Sequence, residues 1–171
     1  MAKRKTKKKT GKPPQHPDPA PIPPVERLFE TEHLLERSRT HWQYGNWEDL
    51  AALDMDEIAR DGDRAKLILL IAAAQSQLGE TRAARQSVRQ AMAWGCDRRL
   101  VARVLASAVH NSLGRVATLL EDGAAESHFR DAIALVEPHA DAEAIARSRR
   151  IRESVRLGRL DAAAQLIEDD L

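Results

Sequence analysis

The sequence predicts an all-α fold of antiparallel helical hairpins, from three observations. Ala, Leu, Arg, Glu and Gln, all good helix formers, dominate the chain, while only 4% of residues are aromatic. The alternation of β-branched or aromatic residues with polar ones that marks strands does not occur. Glycines cut the chain into helix-length segments, and Gly45 and Gly79 stand 34 residues apart, the length of one two-helix repeat.

The chain has 171 residues and a net charge of +1, which suits one domain plus a tail. That small net charge hides an uneven distribution. Lys3, Arg4, Lys5, Lys7, Lys8, Lys9 and Lys12 stand against a single acid, Asp18, in the first 24 residues. Pro13, Pro14, Pro17, Pro19, Pro21, Pro23 and Pro24 follow, and proline blocks helix and sheet hydrogen bonding while favouring extended polyproline II. Residues 1–24 are therefore expected to be a disordered, basic, proline-rich tail. The domain is expected over 25–171, and it is mildly acidic. Lys66 is the only lysine after Lys12. This preference for arginine, with abundant alanine, points to a GC-rich bacterial coding sequence.

Within the domain, a first helix over 25–44 carries Leu28, Phe29, Leu34 and Leu35 and stops at Gly45. Asn46 is placed to cap a second helix from Trp47 to Ile58, with Glu48 and Asp49 in its first turn, where the helix dipole favours acids. Asp61-Gly62-Asp63 breaks the chain before a helix over 64–78. Its segment Leu67–Ala74 is apolar on all sides, as expected of a helix enclosed by neighbours. Helices over 81–94, 98–121, 124–137, 141–157 and 160–168 complete eight in four pairs. Asp97 is the expected cap of the long helix, and Asp122-Gly123 the turn after it. Glu168, Asp169 and Asp170 put negative charge at a helix C-terminus, where fraying is expected.

Two turns repeat in detail. Leu78-Gly79-x-x-x-Ala83-Ala84-x-Gln86 recurs as Leu157-Gly158-x-x-x-Ala162-Ala163-x-Gln165. At these residues the chain resembles the tetratricopeptide (TPR) superfamily. The hairpin of that family has Gly at the turn, a small residue, a bulky one, then Ala, and often a closing Pro. Gly79, Ala84, Val88 and Ala91 follow this ladder, Ala125, Phe129, Ala132 and Pro138 its second half, and Gly158, Ala163 and Ile167 again. The sequence departs at Leu50, where Ala is expected, and in the excess length of the helix over 98–121. The resemblance implies a right-handed solenoid whose first helices line a concave groove. A narrower likeness rests on Trp47 to Asp54, Arg64 to Leu67, Trp94 to Cys96 and Val109 to Gly114. These stretches are similar to helical-repeat segments that accompany bacterial methyltransferases and glycosyltransferases of surface-polysaccharide pathways. That likeness implies an accessory subunit.

Catalytic chemistry is not signalled. No strand precedes a glycine-rich phosphate loop, there is no His-Glu-x-x-His pairing, and one cysteine, Cys96, makes neither a disulfide nor a multi-thiolate site. No catalytic residue, metal ligand or cofactor is expected. His110-Asn111 interrupts an apolar helix and reads either as a groove-lining pair or as a buried interhelical hydrogen bond. Trp42, Tyr44 and Trp47 read either as a partner anchor or as the closed end of the stack. Arg147, Arg149, Arg150, Arg152 and Arg156 read as a solvated face or as a surface for an acidic partner.

The leading expectation is a non-catalytic adaptor that binds a protein or peptide through Lys66, Ser76, Gln77, His110, Asn111 and Arg115. The first alternative is a nucleic-acid- or ribosome-associated protein that uses the lysine arm against a polyanion, nucleic acid or an anionic surface. The second alternative is the polysaccharide accessory subunit. The basic N-terminus runs into prolines where a signal peptide needs an apolar stretch, and no apolar run is long enough to span a bilayer. A cytoplasmic location is therefore expected. The oligomeric state is left open.

Overall fold

The computed structural model describes residues 24–168, with side chains from Leu34 onward. The lysine arm and the residues up to Pro23 lie outside the described residues, as do Asp169, Asp170 and Leu171. Leu28 and Phe29 precede the first described side chain.

The described residues form nine helices and no strand. They are α1 (Pro24–Tyr44), α2 (Trp47–Ala51), α3 (Met55–Arg60), α4 (Arg64–Gln77), α5 (Thr81–Ala93), α6 (Arg98–Leu119), α7 (Ala125–Val136), α8 (Ala142–Arg156) and α9 (Leu160–Glu168). The single helix expected over 47–58 is split in two. Ala52 closes α2, and Asp54 then caps α3 by accepting a 2.8 Å bond from the Asp56 amide. Asn46 stands at the start of α2 without a side-chain cap bond. Its amide lies 3.3 Å from His41 Nδ1 instead.

Every residue from Leu67 to Ala74 is buried, because α4 is packed by α1, α2, α3, α5 and α6. Three hairpins follow from the turns: α4 with α5, α6 with α7 and α8 with α9. The first helices α4, α6 and α8 lie side by side, and α1 touches both α4 and α8. The main core gathers Trp42, Trp47, Leu50, Ile58 and Val104 around α4. A smaller one joins Phe129 and Ile133 of α7 to Ile145 and Ala146 of α8.

The repeated turn of the sequence builds the same closure twice. Gly79 and Gly158 adopt φ of +82° and +74°. The next amide reaches back to a carbonyl five residues earlier, Glu80 to Gln75 at 2.8 Å and Arg159 to Ser154 at 2.9 Å. Asp97 caps α6 through a 2.7 Å bond from the Arg99 amide. The turn expected at Asp122-Gly123 lies between α6 and α7, closed by a residue other than glycine. Glu121, not Gly123, takes the left-handed conformation, with φ of 58°, and the Asp122 amide reaches back to Ala117 at 2.8 Å.

Candidate functional site

Neighbouring first helices each send one polar side chain into a shared interface. Gln77 of α4, Asn111 of α6 and Arg149 of α8 form a ladder whose rungs are 34 and 38 residues apart. Gln77 Nε2 donates to the Ala108 carbonyl at 3.0 Å, and Asn111 Nδ2 donates to Gln77 Oε1 at 2.8 Å. Arg149 Nη1 then donates to Asn111 Oδ1 at 2.9 Å. Beside this ladder, Arg115 bonds the Gln77 carbonyl at 3.0 Å and Glu153 at 3.3 Å.

Arg149 ends the ladder against α1. Its Nη2 and Nε donate to the carbonyls of Trp42 and Gln43 at 2.6 and 2.7 Å. The guanidinium lies 4.9 Å from the Trp42 ring centre and 5.3 Å from that of Trp47. It is 4% exposed, and among the described residues no carboxylate pairs with it. Burial drives its pKa well below the ordinary guanidinium range, to about 9. What holds the charge is the carbonyl end of a helix, where the dipole is negative, and two π faces.

An open cavity of about 440 Å³ lies over this cluster, lined by Tyr44, Trp47, Arg115, Arg149, Arg152 and Glu153 among others. Its walls hold no serine, cysteine or histidine, so no hydroxyl or thiol sits beside an imidazole base there.

The six residues expected to line one groove do not share one. Gln77, Asn111 and Arg115 belong to the ladder. Lys66 is exposed at the start of α4 and pairs with Asp63 at 2.6 Å. Ser76 is exposed beside a separate apolar groove between α4, α5 and α6. His110 turns toward α7, where His128 and Asp131 meet it. Of the aromatic trio, Trp42 and Trp47 are buried and Tyr44 is exposed at the cavity rim. Of the five arginines on α8, only Arg149 is buried. Cys96 is half-buried, and its thiol pKa is raised by burial and by the charge of Asp97.

A second surface was not foreseen. On α6, Ala102, Leu105, Ala106, Val109, Ser112, Leu113, Val116 and Leu119 are all exposed, as is Leu120 beyond its end. They fall within an arc of about 140° on a regular helix, and none is charged. Val109 is 59% exposed and Leu120 70%. Leu105 also lines the apolar groove, of about 400 Å³, between α4, α5 and α6. Val116 and Leu119 line a depression on the other flank, beside Leu157. No helix among the described residues is long and apolar enough to cross a membrane. Comparison with protein-family models, with curated proteins and with solved structures finds no match to this chain.

Proposed function

We propose that this chain is a non-catalytic helical-repeat adaptor, a TPR-like right-handed solenoid that holds an amphipathic helix of a protein partner. The observation that carries this reading is the exposed face of α6, uncharged from Ala102 onward beyond Arg98 at its start. Large apolar side chains rarely line a whole helix face in contact with water, and a continuous patch of this kind marks an interaction site. Leu105, Val109, Leu113, Val116 and Leu120 follow steps of four, four, three and four residues. That is the spacing by which one helix receives the apolar ridge of another. Arg85 and Arg89 border the adjoining groove, and Arg99, Arg103 and Arg115 flank the face on α6. The occupant that fits is therefore an amphipathic helix with acidic flanks. Glutamine, asparagine and arginine at matching places in successive hairpins keep the helices in register behind this face.

The test is a photo-crosslinking residue at Val109 in the full chain, read by mass spectrometry of the crosslinked peptide. The reading expects a crosslink to an acid-flanked amphipathic helix of another protein. With both proteins purified, Val109→Asp/Leu113→Asp should abolish that binding while helical circular dichroism is unchanged. Crosslinks only to a second copy of this chain, or none above those from a probe at exposed Glu57, overturn it.

A further inference from the structure

Gly114 and Phe129 bring α6 and α7 unusually close. A Cβ on Gly114 would lie 2.8 Å from two Phe129 ring carbons, so the ring fills the space a side chain would need. One turn before Gly114 on α6 stands His110. One residue before Phe129 on α7 stands His128, with Asp131 three residues later on the same face. The close approach that Phe129 and Gly114 allow thus faces two imidazoles and a carboxylate across the hairpin.

Each of these three residues offers one ligand atom, and all three atoms lie within 4.8 Å of one another. The imidazole rings are tilted by 53° with centres 6.0 Å apart, so they do not stack. Asp131 Oδ2 lies 3.7 Å from His110 Nδ1, too long for a hydrogen bond. The Nδ1 atoms of both His110 and His128 are buried and have no hydrogen-bond partner among the described residues. A buried ring nitrogen left without a partner carries a desolvation penalty. Two of them, beside a carboxylate, are a set of lone pairs awaiting a common acceptor.

We propose that His110, His128 and Asp131 form a binding site for a divalent transition-metal ion of the zinc class. Two imidazole nitrogens and one carboxylate oxygen suit zinc, cobalt or nickel rather than magnesium or calcium, which take oxygen ligands. Donors about 2 Å from such an ion stand about 3.3 Å apart, a separation that small side-chain rotations reach from the present one. Three protein ligands leave a coordination position for water or for a donor from a bound partner. Because the ligands come from two helices, the ion ties α6 to α7 at mid-hairpin, independently of the apolar face of α6.

The full chain is titrated with Co²⁺, followed by its visible absorption, and with Zn²⁺ by calorimetry. One equivalent should bind. His128→Ala and Asp131→Asn should each weaken affinity at least about tenfold, with unchanged helical circular dichroism. Exposed His139, changed to Ala, should leave it intact. Asp131 is itself exposed, so its change keeps the test valid if His128→Ala does not fold. Affinity unchanged in Asp131→Asn, equal affinity in His128→Ala, or no cobalt absorption with the unaltered chain, overturns the proposal. The last result would leave the three residues as an ionic cluster only.

Discussion

Replacing Arg149 by methionine removes the guanidinium but keeps most of the length and apolar contact of the side chain. Three buried oxygens lose their donor: the carbonyls of Trp42 and Gln43 and Oδ1 of Asn111. Each costs about 1–3 kcal/mol when left unsatisfied. Methionine is spared the charge-burial penalty, on the order of 5 kcal/mol for a pKa lowered to about 9. The native bonds and the two indole faces offset that penalty only in part, since the pKa stays lowered. The net expectation is a loss of about 3–4 kcal/mol, in line with breaking a buried charge network by removing one member. With a urea dependence of about 2 kcal/mol per molar, the unfolding midpoint read by helical circular dichroism falls by about 2 M. A second readout follows from proton linkage. Folding lowers the pKa of Arg149, so above about pH 9 the unfolded chain holds a proton that the folded chain has lost. Stability from this group is therefore lowest at neutral pH and rises through the alkaline range. The advantage of the unaltered chain over the methionine variant should widen between about pH 8 and pH 11. A methionine variant within about 1 kcal/mol of the unaltered chain would refute the hydrogen bonds of Arg149 as a source of stability, and a pH-independent difference would refute the cost of burying its charge.

Two further substitutions test the turns and the close helix pair. Gly114→Ala gains about 1 kcal/mol of helix propensity but drives a methyl into the buried Phe129 ring. A net loss of about 1–2 kcal/mol should lower the thermal midpoint by roughly 3–8 °C, and an unchanged midpoint would mean the ring yields freely. Glu121→Gly relieves a left-handed conformation at a non-glycine residue, worth about 1 kcal/mol. The ion pair it forfeits, with Arg159 at 3.3 Å, has its carboxylate 77% exposed and contributes little. The midpoint should rise by about 2–4 °C; a fall would assign Glu121 a role beyond the turn.

Glycine spacing makes most helix ends legible, because the left-handed closure needs glycine at Gly45, Gly79, Gly95 and Gly158. The uniform apolarity of Leu67–Ala74 likewise announces an enclosed helix. The split between α2 and α3 is harder to read, since Asp54 lies in a stretch whose composition is otherwise helical. Arg149 hides among four other arginines on α8. The available signal is its place four residues after Ile145, on the buried stripe with Ala146. His128 and Asp131 have a readable helical spacing, but their meeting with His110 depends on the register of α6 against α7. That register is fixed by the fit of Phe129 against Gly114, which no local pattern specifies. The exposed face of α6 is present in the sequence as a long apolar helix. Which half of that helix is covered depends on neighbours that packing alone decides.

The contact between α1 and α8 changes how the molecule comes apart. In a linear array each unit touches only the next, so an end unit can peel away for the loss of one interface. Here Arg149 joins residues 106 and 107 positions distant in the chain, and the array is fastened back to its beginning. Helix α8 cannot separate without uncovering the end of α1, and α1 cannot leave without stranding a charge inside α8. Everything between them should therefore share one opening event, to be read as uniformly slow amide exchange. Helix α9, whose main contact is α8, stands outside this closure and can fray on its own.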